Sequence, residues 1–368
     1  MDKQHVLHTI FVSGFRSIRE LPYLPVQHLN VLIGQNGAGK SNFIELFRFL
    51  NEIINGRLQV YTAVKGGADK LLHYGSRETQ LIHIELLVGD IVYHLELVPG
   101  EGDRLIIRDE DVTHKGFDFG LNPDEKPVSR GSTESKLTKD DRSVSRLIRS
   151  QLQDWRVYHF HDTSAEARVK KLADLNDVAF LRPDAGNLAA FLYYLQQKSP
   201  RHYDRIVSTI QLVLPFFKDF ALRPNPYNEQ KILLEWQDTG SDMRFNAGDL
   251  SDGSLRFICL ATLLLQPNLP SLILLDEPEL GLHPTALALL AGLLKKAASR
   301  TQVIVSTQSI NLVNAFSPDD IIVVDRENAD GRPGSSTFRR LQTEELATWL
   351  TEYSLGDLWE KNVIGGTP

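Results

Sequence analysis

The chain has 368 residues, 42% of them hydrophobic and 24% charged, with a formal net charge of −7. That length supports one large domain or two intertwined lobes around a sizeable core, and the composition is that of an ordinary soluble globular protein. The acidic balance excludes bulk electrostatic coating of nucleic acid and leaves only a local basic patch; the single cysteine, Cys259, excludes an internal disulfide framework and fits a reducing cytosol. The N-terminal stretch lacks the apolar core and cleavage site of a signal peptide. No apolar run approaches the roughly 20 residues that span a bilayer, 286–294 being among the longest. These features point to a cytoplasmic protein with no membrane partner.

Along the chain, residues 31–33 (VLI) read as a strand buried on both faces, followed at once by GQNGAGKS at 34–41. Phe43, Ile44, Phe47, Leu50 and Ile54 then recur at helical spacing until Asn55-Gly56 stops the helix. Residues 79–109 alternate apolar and polar in three pieces joined by Gly89-Asp90 and Pro99-Gly100, which suits an antiparallel meander. Residues 118–141 carry almost no large apolar side chains, so a mobile loop is expected there. A helix over 142–153 puts Arg142, Arg146 and Arg149 on one face, either a solvated face or a surface for phosphate backbone. A strand over 156–160 follows, then helical patterns near 187–197 and 203–214 and extended pieces at 220–223 and 231–237.

Further short apolar runs at 272–275, 303–305 and 321–324 match the first, and such runs separated by helices imply a parallel sheet. A strand over 337–341, a helix over 343–350 and a tail bearing Leu358 and Trp359 complete the chain. That apolar pair is either a docking element or a pair packed on the protein's own surface. The expected organisation is one discontinuous domain over 1–368. It comprises a nucleotide-binding lobe with the meander (1–160), a helical lobe (161–265) and the remainder of the core sheet with the tail (266–368).

The glycine loop carries the first chemistry. Gly34, Gly37 and Gly39 let successive N–H groups point inward as an anion nest, and the following helix adds the positive end of its dipole. Lys40 is placed to reach the β- and γ-phosphates of a nucleoside triphosphate, and the Ser41 hydroxyl to ligate Mg²⁺. Asp276 ends the run LILL, where a strand delivers a carboxylate to the sheet edge for Mg²⁺. Glu277 points differently and can polarise an attacking water as general base. The bland alternative for the pair is two solvated acids at a strand end.

Four motifs in order, GFRSIRE at 14–20, GQNGAGKS, LSDGS at 250–254 and DEPELGLHP at 276–284, resemble the ABC-type ATPases of the SMC and RecF group. Within it the chain looks like the stand-alone ATPases related to the OLD family. The resemblance implies an α/β P-loop NTPase fold: an ABC-type ATPase head with a parallel core sheet, an antiparallel β subdomain and a helical lobe. It implies ATP and Mg²⁺ as cofactors, with Asn36 and Asn42 joining the loop residues at the nucleotide and Arg16 and Ser17 beside the adenine. It implies a head-to-tail homodimer in which Ser251 and Gly253 close over the γ-phosphate held by the partner's Lys40. On the residues alone, the alternative for LSDGS is a plain N-cap of a buried helix, and Cys259 in that helix reads as packing. His283, in the crossing loop 279–284 of relatives, is either a contact or a turn residue before Pro284.

The sequence departs from that pattern in two places. Gln308 stands where these ATPases carry a switch histidine, and glutamine can carry neither a proton nor a positive charge. Slow or partner-stimulated hydrolysis is therefore expected, with Lys40, Glu277 and Gln308 as the catalytic set. The usual glutamine of the lobe-connecting loop is replaced by HDTS, where His161 and Asp162 are either γ-phosphate or Mg²⁺ sensors or a capped turn. A metal site from His159 and His161 lacks a third ligand nearby. OLD-type proteins fuse a TOPRIM nuclease, and the residues after Asp325 are too few for one, so a nuclease or toxin effector is expected as a separate chain. The resemblance thus implies an ATP-gated control of a partner effector or of a DNA repair or anti-phage defence process. Two other readings stay open: an ATP-binding sensor with little turnover, and the ATPase subunit of a transporter, against which the FRSI opening and the large insertion argue.

Overall fold

The computed structural model describes residues 6–114, 127–327 and 334–367. The chain forms two compact units: Met1–Arg156 with Pro270–Leu272 and Ser317–Pro368, and Val157–Leu269 with Ile273–Phe316. The partition expected at 160 and 265 shifts accordingly. Residues 273–316 cluster with the unit that carries LSDGS, because the helix after Pro284 packs on the helix after Ser251.

The first unit opens with the antiparallel strands β1 (Leu7–Phe15) and β2 (Ile18–Pro25), turning at Arg16 with φ +50. Strand β3 (Leu29–Ile33) is buried along its whole length, which explains its unbroken apolar run. Helix α1 (Lys40–Ile54) buries Phe43, Phe47, Phe49 and Leu50, and the Phe47 ring packs 5.5 Å from that of Trp155. Short helices α2 (Leu58–Val64) and α3 (Ala68–Leu71) lead into β4 (Ile82–Val88), β5 (Ile91–Gly100) and β6 (Arg104–His114). With β7 (Ser129–Ser132) these complete a six-stranded antiparallel sheet in the order β2-β1-β4-β5-β6-β7. In β4 and β5 every second side chain is buried: Ile82, Ile84 and Leu86 on one strand, Tyr93, Leu95 and Leu97 on the other. Helices α2 and α4 (Ser143–Asp154) lie against β6.

The mobile loop expected over 118–141 divides. Its part up to residue 126 lies outside the described residues, whereas 127–141 is built into the sheet edge. Strand β7 pairs with β6, and the Glu134 carboxylate accepts the N–H groups of Leu58 (2.7 Å) and Gln59 (3.0 Å) at the start of α2. Buried Glu110 accepts from Tyr93 Oη (2.9 Å) and Ser135 Oγ (2.7 Å), and burial raises its carboxyl above the usual range. Polar side chains with specific partners order this segment, a signal that low hydrophobicity hides. The arginine face of α4 is likewise spent internally. Arg142 pairs with Asp140 at 2.7 Å and Asp111 at 3.3 Å, and Arg149 Nη1 donates to the carbonyls of Leu137 and Thr138. Only Arg146 of the three is exposed, so the basic stripe offered to phosphate backbone does not form.

The second unit begins at β8 (Arg156–Tyr158) and β9 (Ala173–Asp174) and continues through α5 (Leu188–Lys198) and α6 (Pro200–Val213). Two three-stranded sheets follow from β10 (Phe217–Phe220), β11 (Pro224–Asn225), β12 (Asn228–Ile232), β13 (Glu235–Asp238) and β14 (Arg244–Asn246), in the orders β10-β13-β14 and β11-β12-β9. Helix α7 (Asp252–Leu265) is almost entirely buried and packs on α8 (Pro284–Ala298). Strand β15 (Leu272–Asp276) stands between β8 and β16 (Gln302–Ser306), and α9 (Ile310–Val313) follows.

The chain then returns to the first unit. Strand β17 (Ile321–Glu327) pairs in parallel with β3, Ile321 opposite Val31, and antiparallel with β18 (Ser335–Arg340). The helix expected over 343–350 is shorter, α10 (Thr343–Leu346) with a 3₁₀ turn behind it. Helix α11 (Leu355–Glu360) settles the tail: Leu358 and Trp359 are fully buried, and Trp359 Nε1–H donates to the Gly366 carbonyl. The pair is packing rather than a docking element. Among the described residues, no helix is long and apolar enough to cross a membrane.

Candidate functional site

Phosphate chemistry starts at the end of β3. Gly34 has φ +149, and a Cβ there would lie 2.1 Å from the Val324 carbonyl oxygen, so the chain leaves the sheet where only glycine fits. Gly39, at φ +123, is the N-cap of α1, and a Cβ would meet Ser336 Oγ at 2.1 Å. No side chain caps α1 and its first turn has no acidic residue. The N–H groups of that turn are therefore oriented for an external anion, with the helix dipole behind them.

Lys40 is buried, and its ammonium donates to the carbonyls of Gly34 and of Gln35 (3.1 Å). The cation folds back over its own loop, within reach of the space a phosphate would take. Ser41 is exposed on the first turn. Behind the loop runs a polar brace: Asn42 Nδ2 donates to Ser17 Oγ (2.7 Å), Ser336 Oγ donates its one proton to the Ala38 carbonyl and so accepts from Ser17 Oγ (2.7 Å), and Arg16 Nη1 donates to Asn42 Oδ1 (3.3 Å). Arg16, Ser17 and Asn42, read from sequence as nucleotide contacts, thus meet one another and hold the loop. Ser336 is the brace residue that sequence reading missed, since nothing local links it to the glycine loop.

In the second unit, β15 carries Asp276 to its end, where one carboxylate oxygen accepts from Ser306 Oγ. Glu277 takes up φ +44, a left-handed conformation that costs a non-glycine residue of order 1 kcal/mol or more. Its N–H donates to the Ser306 carbonyl (3.0 Å), and Gln308 Nε2–H donates to its carboxylate. The two carboxylates thus have different partners, Ser306 Oγ for Asp276 and Gln308 Nε2 for Glu277. Gln308, placed by sequence at the switch position, is thereby brought onto the candidate base.

Glu279 completes the cluster. Its Oε1 accepts from Thr307 Oγ1 (2.6 Å) and the Gln308 N–H (2.8 Å), while Oε2 is buried without a hydrogen-bond partner. Burial above all, and the nearby Glu277 charge, hold its carboxyl above the usual range against those two donors. Sequence reading assigned it only to a loop; its spacing, two residues beyond the base on a turn, was the available signal.

Ser251 caps α7, accepting the Ser254 N–H at 3.2 Å, and remains exposed. A Cβ on Gly253 would lie 2.2 Å from the Gly281 carbonyl, so this glycine is required by packing inside the unit whatever else it does. Arg256 joins three motif segments, donating to the carbonyls of Leu280 (2.9 Å) and His161 (2.9 Å) from within the signature helix. It was legible only as a lone charge in an otherwise apolar helix. His161 Nε2–H donates to the Asp276 carbonyl (2.8 Å), which places that proton on Nε2. Asp162 accepts from Ser164 N and Oγ and forms the capped turn. Exposed His283 caps α8 through Nδ1.

Residues 29–314 match the family model described as "AAA domain, putative AbiEii toxin, Type IV TA system". The chain belongs to that family. It is also 26% identical over 163 residues to the DNA replication and repair protein RecF of Trichlorobacter lovleyi, covering 42% of this chain and 41% of that protein. RecF of Myxococcus xanthus is 25% identical over 159 residues, covering 41% and 40%. The chain thus spans about two fifths of the length of these curated relatives.

Among solved structures, the SmcHead bound to the C-winged helix domain of ScpA superposes with a TM-score of 0.58 at 16% identity, covering 93% of this chain and 99% of that one. The Smc head domain with an extended coiled coil from Pyrococcus furiosus gives 0.57 at 14%, covering 94% and 98%. The fold is that of an SMC/RecF-like ABC-type ATPase, as the motif order implies. Each motif therefore has a structural setting: the glycine loop on one unit, and the acidic pair, the signature helix and Gln308 on the other.

Proposed function

We propose that this ATPase binds ATP with Mg²⁺ through the 34–41 loop, Lys40 and Ser41, with Asp276 holding the metal through water. Glu277 activates the water that attacks the γ-phosphate. The observation that carries the reading is the uncapped start of α1 with Lys40 folded over its own loop carbonyls, an anion site with cation and donors in place. Turnover is slow, because the Gln308 amide already occupies the Glu277 carboxylate. That contact must be released before the carboxylate oxygen can accept a proton from water.

The exposed Ser251 at the start of α7 then acts on a second copy. In this reading two chains sandwich two ATPs head to tail, with Ser251 and Gly253 donating to the γ-phosphate bound by the partner copy. The ATP-joined pair gates a separately encoded effector or a DNA repair or defence process, a setting supported by the RecF likeness. Light scattering with ATP and Mg²⁺ tests the sandwich. Wild-type chains assemble into tight dimers, Ser251→Arg chains bind ATP and stay apart, and unchanged assembly of that variant overturns the model.

A second reading, an ATP sensor with little turnover, is favoured by the same Gln308–Glu277 contact. Single-turnover phosphate release separates the two, since a sensor shows the same trace for wild type and Glu277→Gln.

A further inference from the structure

The open face of the antiparallel sheet carries a second polar cluster, unrelated to the nucleotide chemistry. Strand β4 reads His83-Ile84-Glu85 and strand β5 reads His94-Leu95-Glu96. Their antiparallel register sets His83 opposite Glu96 and Glu85 opposite His94. Because side chains alternate along a strand, all four project from the face opposite the core. They are neither dry nor free in solvent, with side-chain exposures between 12% and 22%.

Three atoms of this quartet converge. His83 Nε2 lies 3.3 Å from His94 Nδ1, and Glu85 Oε1 lies 3.4 Å from the first and 3.5 Å from the second. The His83–His94 edge is a long hydrogen bond, and all three edges exceed about 2.7–2.9 Å, the length of a charge-assisted one. The near-equilateral triangle is the right size for a different object. Ligands about 2.0–2.1 Å from a tetrahedral zinc-class ion stand about 3.3–3.4 Å apart. Three lone-pair donors at those separations form one face of such a polyhedron.

The surroundings fix these donors as a metal's outer partners do. Tyr23 Oη–H donates to Glu85 Oε2, which turns the other oxygen toward the two imidazoles. The Phe11 ring packs 5.0 Å from the His83 ring. Glu96 faces the far nitrogen of His94 at 3.9 Å and is itself held by Arg108 Nε (2.8 Å) and Nη2 (2.6 Å). Among the described residues, His83 and His94 also group with Glu96, each of the three offering a ligand atom within 4.8 Å of the others.

We infer that His83 Nε2, His94 Nδ1 and Glu85 Oε1 form a binding site for a zinc-class divalent transition metal on the β4–β5 face, with Tyr23 and Glu96 orienting the ligands. Two imidazoles and one carboxylate suit Zn²⁺ or Co²⁺ rather than the Mg²⁺ of the phosphate chemistry, which takes oxygen ligands. Three protein donors leave a fourth position for water. Bound metal would pin the two strands together and stabilise the folded chain by mass action.

The test uses the full, tag-free chain, stripped with chelator and titrated with Co²⁺. Saturable tetrahedral ligand-field bands at one ion per chain, displaced by Zn²⁺, are expected, with a melting temperature that rises on adding Zn²⁺. The double variant His83→Gln, His94→Gln loses both signals while its circular dichroism and ATP binding persist. Tyr23→Phe keeps the site but weakens it about tenfold, the effect of losing an outer partner. Absence of saturable binding in the wild type, or undiminished binding in the double variant, overturns the inference. Should the double variant not fold, unchanged affinity in both Tyr23→Phe and Glu85→Gln overturns it equally.

Discussion

The phosphate loop and the acidic end of β15, both assigned to nucleotide chemistry by the proposed function, are finished to different degrees. At the loop, the first turn of α1 has no side-chain cap, and the one cation rests on its own loop's carbonyls. At the acidic end, Asp276 is held by Ser306, Glu277 by Gln308, and one oxygen of Glu279 by Thr307 and the Gln308 backbone. One region is organised to receive a ligand. The other is a closed network of internal hydrogen bonds. On the proposed function, binding and turnover are separable, and Gln308 is the link to break.

The largest expected effect breaks the closed side. Glu277→Gln lowers single-turnover phosphate release by about 10²–10⁴-fold, the range for a lost general base, with ATP affinity unchanged in calorimetry. Equal loss of both places Glu277 in binding instead. Lys40→Ala breaks the open side. Removing one charge-assisted contact of about 1.5–3 kcal/mol weakens ATP by about 10–100-fold, and wild-type affinity in that variant discards the loop as the site.

A smaller effect sharpens the link. Gln308→His frees Glu277 from its amide and supplies a group able to carry a proton, so phosphate release rises by about tenfold, or about 1.4 kcal/mol of barrier. A slower variant shows that the amide itself contacts the phosphate.

The smallest concerns Glu279, whose carboxyl burial raises. A raised folded-state value means that its stabilising contribution is complete below the ordinary glutamic range, near pH 4.3. That contribution is lost as pH rises through the raised value. Glu279→Gln keeps a neutral side chain, so urea melts give a stability difference that moves in the variant's favour between acid and neutral pH. A difference independent of pH removes the buried carboxyl from the account.

The strands and helix that frame the phosphate loop were legible because their causes are local. An apolar run buried on both faces (29–33), glycines at positions with no room for a Cβ, and the spacing of Phe43, Phe47 and Leu50 all lie within a few residues of one another. The acidic pair was legible for the same reason, at the end of a strand. Composition misled at 127–141, where Glu134 and Ser135 are ordered by partners far off in the chain. It also misled at Arg142 and Arg149, whose helical spacing was right but whose guanidinium groups are used by Asp111, Asp140 and two carbonyls.

What the sequence alone determined is the family and its motif order: a glycine loop, an acidic pair at a strand end and a signature helix, each set by a short motif. What only the tertiary structure decided is how those motifs are held. Ser336 braces Ser17 and Arg256 ties His161 to Leu280, while Gln308 rests on Glu277. The His83–Glu85–His94 triangle is of the same kind, since a one-residue slip of β5 past β4 would scatter its donors to opposite faces. Hydrogen-bond partners and strand register join residues distant in sequence, and neither leaves a mark on local composition.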